Sequence, residues 1–125
     1  MSFRNKVIWI TGASSGIGKA LAIELSNQNA LLIISARNKN SLEIVKKSCK
    51  NPKNVWIISL DLEKDTTFNE ITQRAVNVFG RIDVLVNNGG ISQRSLATET
   101  HISVDKKIME VNYIGTIALT KALLP

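Results

Sequence analysis

The sequence is short of the residues that build disulfide and metal chemistry. A single cysteine, Cys49, rules out an internal disulfide and favours a reducing, intracellular compartment. Its bland reading is a small buried hydrophobe. The single histidine, His101, has no second histidine or cysteine nearby to complete a metal site, so it reads as a loop residue and no metal is expected. Aromatic residues make up only 5% of the chain, too few for a platform on which nucleic-acid bases stack. No apolar run approaches the roughly 20 residues that cross a bilayer. The opening Met1-Ser2-Phe3-Arg4-Asn5-Lys6 lacks the apolar stretch of a signal peptide, so the chain reads as soluble with no membrane segment of its own. Low-complexity tracts and internal repeats are also absent.

Charge is present in excess of one sign. The formal net charge is +6, which invites a nucleic-acid reading. However, Lys39, Lys46, Lys47, Lys50 and Lys53 fall on or just after one candidate helix, where a solvated face explains them. No nucleic-acid partner is expected, although a mild positive field helps attract an anionic ligand. With 44% hydrophobic and 21% charged residues the composition is that of an ordinary globular domain.

Strand and helix signals alternate along the whole chain. Val7 to Thr11 is a strand pattern, and Ile17, Leu21 and Leu25 recur at helical spacing until Asn27-Gln28-Asn29. Leu31 to Ser35 is a continuous apolar run of the kind buried in a parallel sheet. Lys39 to Cys49 carries Leu42, Val45 and Cys49 on one helical side and stops at Asn51-Pro52. Val55 to Leu60 reads as a third strand. Phe68, Ile71, Ala75, Val78 and Phe79 mark a helix closed by Gly80, and Ile82 to Val86 a fourth strand. Ser103 can cap a long helix with Val104, Ile108, Val111, Gly115, Ala118 and Ala122 along one stripe. This alternation predicts an α/β doubly wound fold of Rossmann type: a parallel sheet of four strands in order 3-2-1-4, helices on both faces, and one domain over residues 1–125. At 125 residues it is short for a complete dinucleotide-binding enzyme, which needs a second mononucleotide-binding half.

The chemistry gathers at the strand ends. In Thr11-Gly12-Ala13-Ser14-Ser15-Gly16-Ile17-Gly18, a strand breaks at a glycine and a helix begins at once. Gly12 permits the turn, while Gly16 and Gly18 permit close approach of ligand and strand. Unpaired N–H groups at the helix start, with the positive end of its dipole, suit a pyrophosphate, and Ser14 and Ser15 add hydroxyl donors. An ordinary strand-to-helix loop is the rival reading of this turn. At the end of the second strand, where dinucleotide folds usually carry an Asp or Glu for the adenosine ribose, stands Ser35-Ala36-Arg37-Asn38. A guanidinium there suits a ribose 2′-phosphate, so NADP(H) is expected over NAD(H), unless Arg37 is only a solvated loop residue.

Asp61, after the third strand, can accept an adenine amino group or cap the following helix. Asn87-Asn88-Gly89-Gly90, after the fourth, lets backbone lie against a flat ligand and offers amides to a ribose; in isolation it is merely a turn. Asn112 sits inside a helix beside the apolar stripe, where structural packing and catalytic support are both open.

Taken together, these residues resemble the short-chain dehydrogenase/reductase family over essentially the whole chain. Thr11 to Gly18 matches that family's glycine motif, and Asp61, Asn87 to Gly90 and Asn112 follow in its order and spacing. Gly89 departs from the pattern, since Ala is commoner there, and the change should be tolerated. The wording of Ile34 to Asn38 and of Asn87 to Leu96 looks closest to the dehydrogenase/reductase member-seven subgroup. That subgroup's members are membrane-associated, usually at the endoplasmic reticulum, and are linked to NADP(H)-dependent carbonyl reduction of steroids and retinoids. The resemblance implies a small-molecule substrate, a location at that membrane or else in the cytoplasm, and cofactor contacts from Ser15, Ile17, Arg37, Asp61, Leu62 and Asn88. It also implies a catalytic Asn112 that helps hold a water in a proton relay, and homo-oligomerisation of the full-length protein through the last helix.

One component of the family's chemistry is missing from the sequence. A Tyr with a Lys four residues later acts there as general acid/base, because the ammonium group lowers the phenol's pKa. The only tyrosine here is Tyr113, and the residue four positions on is Ile117. Hydride transfer is therefore expected of a longer parent protein, and this chain alone is expected to be inactive or nearly so. The alternative is a non-catalytic nucleotide-binding or dimerisation module.

Overall fold

The structure is a computed structural model that describes residues 3–62, 67–89, 102–103 and 116–123. Strands β1 (Val7–Thr11), β2 (Leu31–Ser35), β3 (Val55–Ile57) and β4 (Val84–Val86) form one parallel sheet in the order β3-β2-β1-β4. All five residues of β1 and four of the five in β2 are buried, which is why both central strands are apolar without alternation. Trp9 lies opposite Ile33 on one side and Leu85 on the other, and Ile33 continues the row to Trp56.

Successive side chains of a strand point to opposite faces, and the core divides accordingly. Helices α1 (Gly16–Asn27) and α2 (Lys39–Ser48) bring Ala22, Leu25, Leu42 and Val45 against Ile8, Ile10, Leu32 and Ile34. On the other face, α3 (Phe68–Phe79) and α4 (Thr116–Leu123) bring Phe68, Ile71, Ala75 and Leu119 against Val7, Trp9 and Ile33. Trp9 is fully buried, and its indole N–H donates to the Ser35 hydroxyl at 2.8 Å, as a buried indole requires. Cys49 caps α2 within the first of these clusters. Burial pushes its thiol pKa up, against a smaller opposing effect of Ser26, so it behaves as the expected hydrophobe rather than a nucleophile.

Several boundaries and one helix phase differ from the sequence reading. The buried side of α1 carries Gly18, Ala22, Leu25 and Ser26, whereas Ile17 is 78% exposed. The helix turns its smallest residues toward the sheet because it packs very close, and Ile17 is left outside. β3 is shorter than Val55 to Leu60, although Ile58 N–H still donates to Ile34 O at 3.1 Å and Leu60 N–H to Ala36 O at 3.0 Å. β4 likewise begins at Val84 rather than Ile82, with Asp83 N–H donating to Val7 O at 2.9 Å just before it. Gly80 ends α3 in the left-handed region (φ +87°), as a glycine stop should. In α4 Leu119, next to the predicted stripe, is fully buried in the cluster with Phe68, Ile71 and Ala75 of α3, and Ala122 of the predicted stripe packs partly buried against the same cluster. The rest of that stripe up to Gly115, and Asn112 with it, lie outside the described residues. No described helix is long and apolar enough to cross a membrane.

Candidate functional site

β1 ends at Thr11 and the chain turns at once. Gly12 takes a φ of +63°, and a Cβ there would stand 2.7 Å from the Asn88 carbonyl oxygen and 2.8 Å from the Gly89 Cα. In the first turn of α1, a Cβ on Gly18 would collide with the Gly12 carbonyl oxygen and lie 2.6 Å from Asn88 Nδ2. The glycine turn, the start of α1 and the end of β4 therefore touch backbone to backbone.

A polar network locks that contact. The Thr11 hydroxyl oxygen accepts the N–H groups of Asn88 (3.1 Å) and Gly89 (2.9 Å), and the hydroxyl donates to Val86 O at 3.3 Å. Asn88 Nδ2 donates to Gly12 O at 3.1 Å. Ser15, the N-cap of α1, has extended backbone and makes no side-chain capping bond. The first-turn N–H groups are thus left without that hydroxyl, at the positive end of the helix dipole, where an anion is favoured.

These ends open into a cleft of about 370 Å³ at the carboxyl edge of the sheet. The β1 turn contributes Thr11, Gly12, Ser14 and Ser15 to its wall, and the end of β2 contributes Ser35, Ala36, Arg37 and Asn38. Leu60, Asp61 and Leu62 come from the segment after β3, and Asn88 and Gly89 from the end of β4. Asn38 also caps α2, its Oδ1 accepting Ser41 N–H at 3.2 Å. Arg37 is exposed, and among the described residues its guanidinium forms no ion pair.

Nine of the residues singled out in the sequence thus line one cleft: Gly12, Ser14, Ser15, Arg37, Asn38, Asp61, Leu62, Asn88 and Gly89. Gly16, Ile17 and Gly18 are not part of its wall. Gly18 is buried behind the turn, and Gly16 supplies a φ of +56° with open space around it. A Cβ at Gly89 would meet Leu62 Cδ1 at 2.8 Å and Thr11 Oγ1 at 3.2 Å, so an alanine there requires the end of the Leu62 side chain to move aside. Sequence reasoning missed Thr11, Ser35, Ala36 and Leu60 as site residues. Among the described residues no group of His, Cys, Asp and Glu is arranged to hold a metal.

A family model described as short chain dehydrogenase matches residues 6–125. The chain belongs to the short-chain dehydrogenase family. It is similar to the human dehydrogenase/reductase SDR family member 7, with 46% identity over 124 residues, covering 95% of this chain and 37% of the relative. The Drosophila melanogaster SDR family protein 7-like is 42% identical over 134 residues, covering 98% of this chain and 40% of the relative. The chain therefore spans less than half the length of these curated relatives.

Solved structures agree on the fold. A short-chain dehydrogenase from Bacillus anthracis superposes with a TM-score of 0.88 at 27% identity, covering 94% of this chain and 49% of that one. An ElxO variant with NADPH bound superposes with a TM-score of 0.85 at 33% identity, covering 94% of this chain and 48% of that one. The four strands correspond to the N-terminal part of the short-chain dehydrogenase fold.

Proposed function

We propose that residues 1–125 form the NADP(H)-binding half of a short-chain oxidoreductase whose substrate is a carbonyl or secondary alcohol on a lipophilic, steroid- or retinoid-like small molecule. The observation that carries this reading is the cleft wall, in which the glycine turn and Arg37 flank one volume. The glycine turn, apart from the Ala13 N–H already given to Ser35 O, and the uncapped first turn of α1 offer N–H donors to a diphosphate. Arg37 offers a charge-assisted pair to a ribose 2′-phosphate, with no acid at that strand end to repel it. Leu60 and Leu62 provide apolar walls for adenine, beside which the Asp61 carboxylate can accept the amino group. Asn88, anchored on Gly12, would offer its strand end to a ribose of the cofactor. The similarity to a structure containing NADPH supports the same choice of cofactor.

A nicotinamide cofactor held here would supply the hydride chemistry. What these residues do is bind and orient it at the carboxyl edge of the sheet. Proton transfer needs the Tyr-x-x-x-Lys pair, which the 125 residues do not contain, and Asn112 is assigned its water-holding part by resemblance alone. A non-catalytic nucleotide-binding or dimerisation module is the second reading. It requires NADPH binding by the whole protein without turnover.

Titration calorimetry with NADPH and NADH tests the cofactor assignment. NADPH should bind at least tenfold more tightly, and Arg37→Asp should remove most of the preference, a loss of about 10- to 100-fold for one charge-assisted pair. Equal affinities in the unaltered protein, or a preference untouched by the substitution, would overturn it.

A further inference from the structure

The chain around Arg37 is held in a graded way. Before it, Ser35 O accepts Ala13 N–H at 3.2 Å and Ala36 O accepts Leu60 N–H at 3.0 Å, both backbone bonds. After it, Asn38 is fixed by the start of α2, its carbonyl accepting Leu42 N–H at 3.3 Å. The bond to the Arg37 carbonyl comes instead from a side chain, the Ser59 hydroxyl, at 3.2 Å.

Ser59 is itself well placed to act as a tether. Its neighbours Ile58 and Leu60 are buried and bonded to β2 through Ile34 O and Ala36 O, so the alternation of the segment turns Ser59 outward over the end of β2. We infer that Ser59, through its hydroxyl on the Arg37 carbonyl, is a positioning residue that sets how strongly the cleft prefers a ribose 2′-phosphate over a 2′-hydroxyl. The inference rests on the cofactor reading given above. A guanidinium on a long, exposed side chain loses much rotamer freedom when it pairs with a phosphate, and a fixed backbone beneath it lowers the part of that loss that must be met on binding.

The test compares Ser59→Ala and Ser59→Thr with the unaltered protein, measuring dissociation constants for NADPH and NADH and for the fragments 2′,5′-ADP and 5′-AMP. Ser59→Ala should weaken NADPH and 2′,5′-ADP by about three- to fivefold, the worth of one exposed hydrogen bond. NADH and 5′-AMP should stay within twofold, which also shows that the variant is folded. Ser59→Thr keeps a hydroxyl and should restore the preference. Equal weakening of all four ligands assigns Ser59 a general structural role and overturns the inference, as does no change in any. Arg37→Asp separates the two levels. If it leaves the NADPH preference intact, the cofactor reading itself fails; if it removes the preference while Ser59→Ala does nothing, only the tether fails.

Discussion

The pair β1–β4 is fastened at both ends, by two different chemistries. At the carboxyl end the ties are neutral: the Thr11 hydroxyl on two backbone N–H groups, the Asn88 amide on a carbonyl, and backbone meeting backbone at Gly12, Gly18 and Gly89. At the amino end they are charged. The Asp83 carboxylate accepts Val7 N–H at 2.8 Å, Arg81 pairs with Asp83 at 3.0 Å, and Arg81 also donates to Asn5 O at 2.8 Å. Only the carboxyl end faces the cleft. A carboxylate serving as strand clamp there would repel a diphosphate a few ångströms away, whereas a hydroxyl and an amide tie the strands without adding to the field. The amino end has no such constraint, so it can use the longer reach of an aspartate and an arginine.

The largest effect should come from spoiling the carboxyl end by volume. Gly18→Ala places a methyl group into the Gly12 carbonyl, which is backbone and cannot swing aside, and against the Asn88 amide that is bonded to it. Overpacking against backbone costs about 3 kcal/mol, and the turn that would hold the diphosphate has to move to relieve it. Urea denaturation should show the lost stability, and NADPH affinity should fall at least 100-fold. An alanine variant that binds NADPH within threefold of the unaltered protein would show that the close contact is not needed.

Removing the hydroxyl at the same end should do less. Thr11→Val keeps the shape but leaves the Asn88 and Gly89 N–H groups without their acceptor, at a cost of about 1–3 kcal/mol since both are only partly buried. Thr11→Ser retains the oxygen and should lose well under half as much. Were the two variants equally destabilised in the same denaturation experiment, the methyl group of Thr11 would matter as much as its oxygen.

Much of this was visible in the sequence, and what was hidden has a physical cause. The order of strands and the edge that carries the cleft followed from alternation and from the glycines, because a doubly wound sheet has few ways to be threaded. Thr11 was read as the last residue of a strand, a position where a β-branched residue needs no further reason. Its role depends on Asn88, 77 residues away, and appears only when β4 is laid beside β1. Ile17 misled for the opposite reason. Hydrophobic periodicity counts large apolar residues, and in α1 the side that packs tightest is made of Gly18 and Ala22. Leu60 hid in an alternation taken for a continuous strand, and the serine that faces out between it and Ile58 drew no notice at all.

The smallest effect belongs to the charged end and is read through pH. Val7 N–H first, and then the neighbouring Arg81, hold the Asp83 carboxyl below the ordinary carboxylate range. A group whose pKa is lowered by folding stabilises the fold at pH above its unfolded value, and that contribution is lost as the pH falls through the folded value. Asp83→Asn should therefore lower the denaturation midpoint modestly at pH 7, with the gap between the two proteins closing as the pH drops below about 4. Added salt should narrow the gap as well, because the Arg81 pair is open to solvent. The Thr11 variants should show neither dependence. A pH-independent difference for Asp83→Asn would mean that the aspartate serves as a shaped acceptor and not as a charge, and the contrast between the two ends of β1 would then be one of geometry alone.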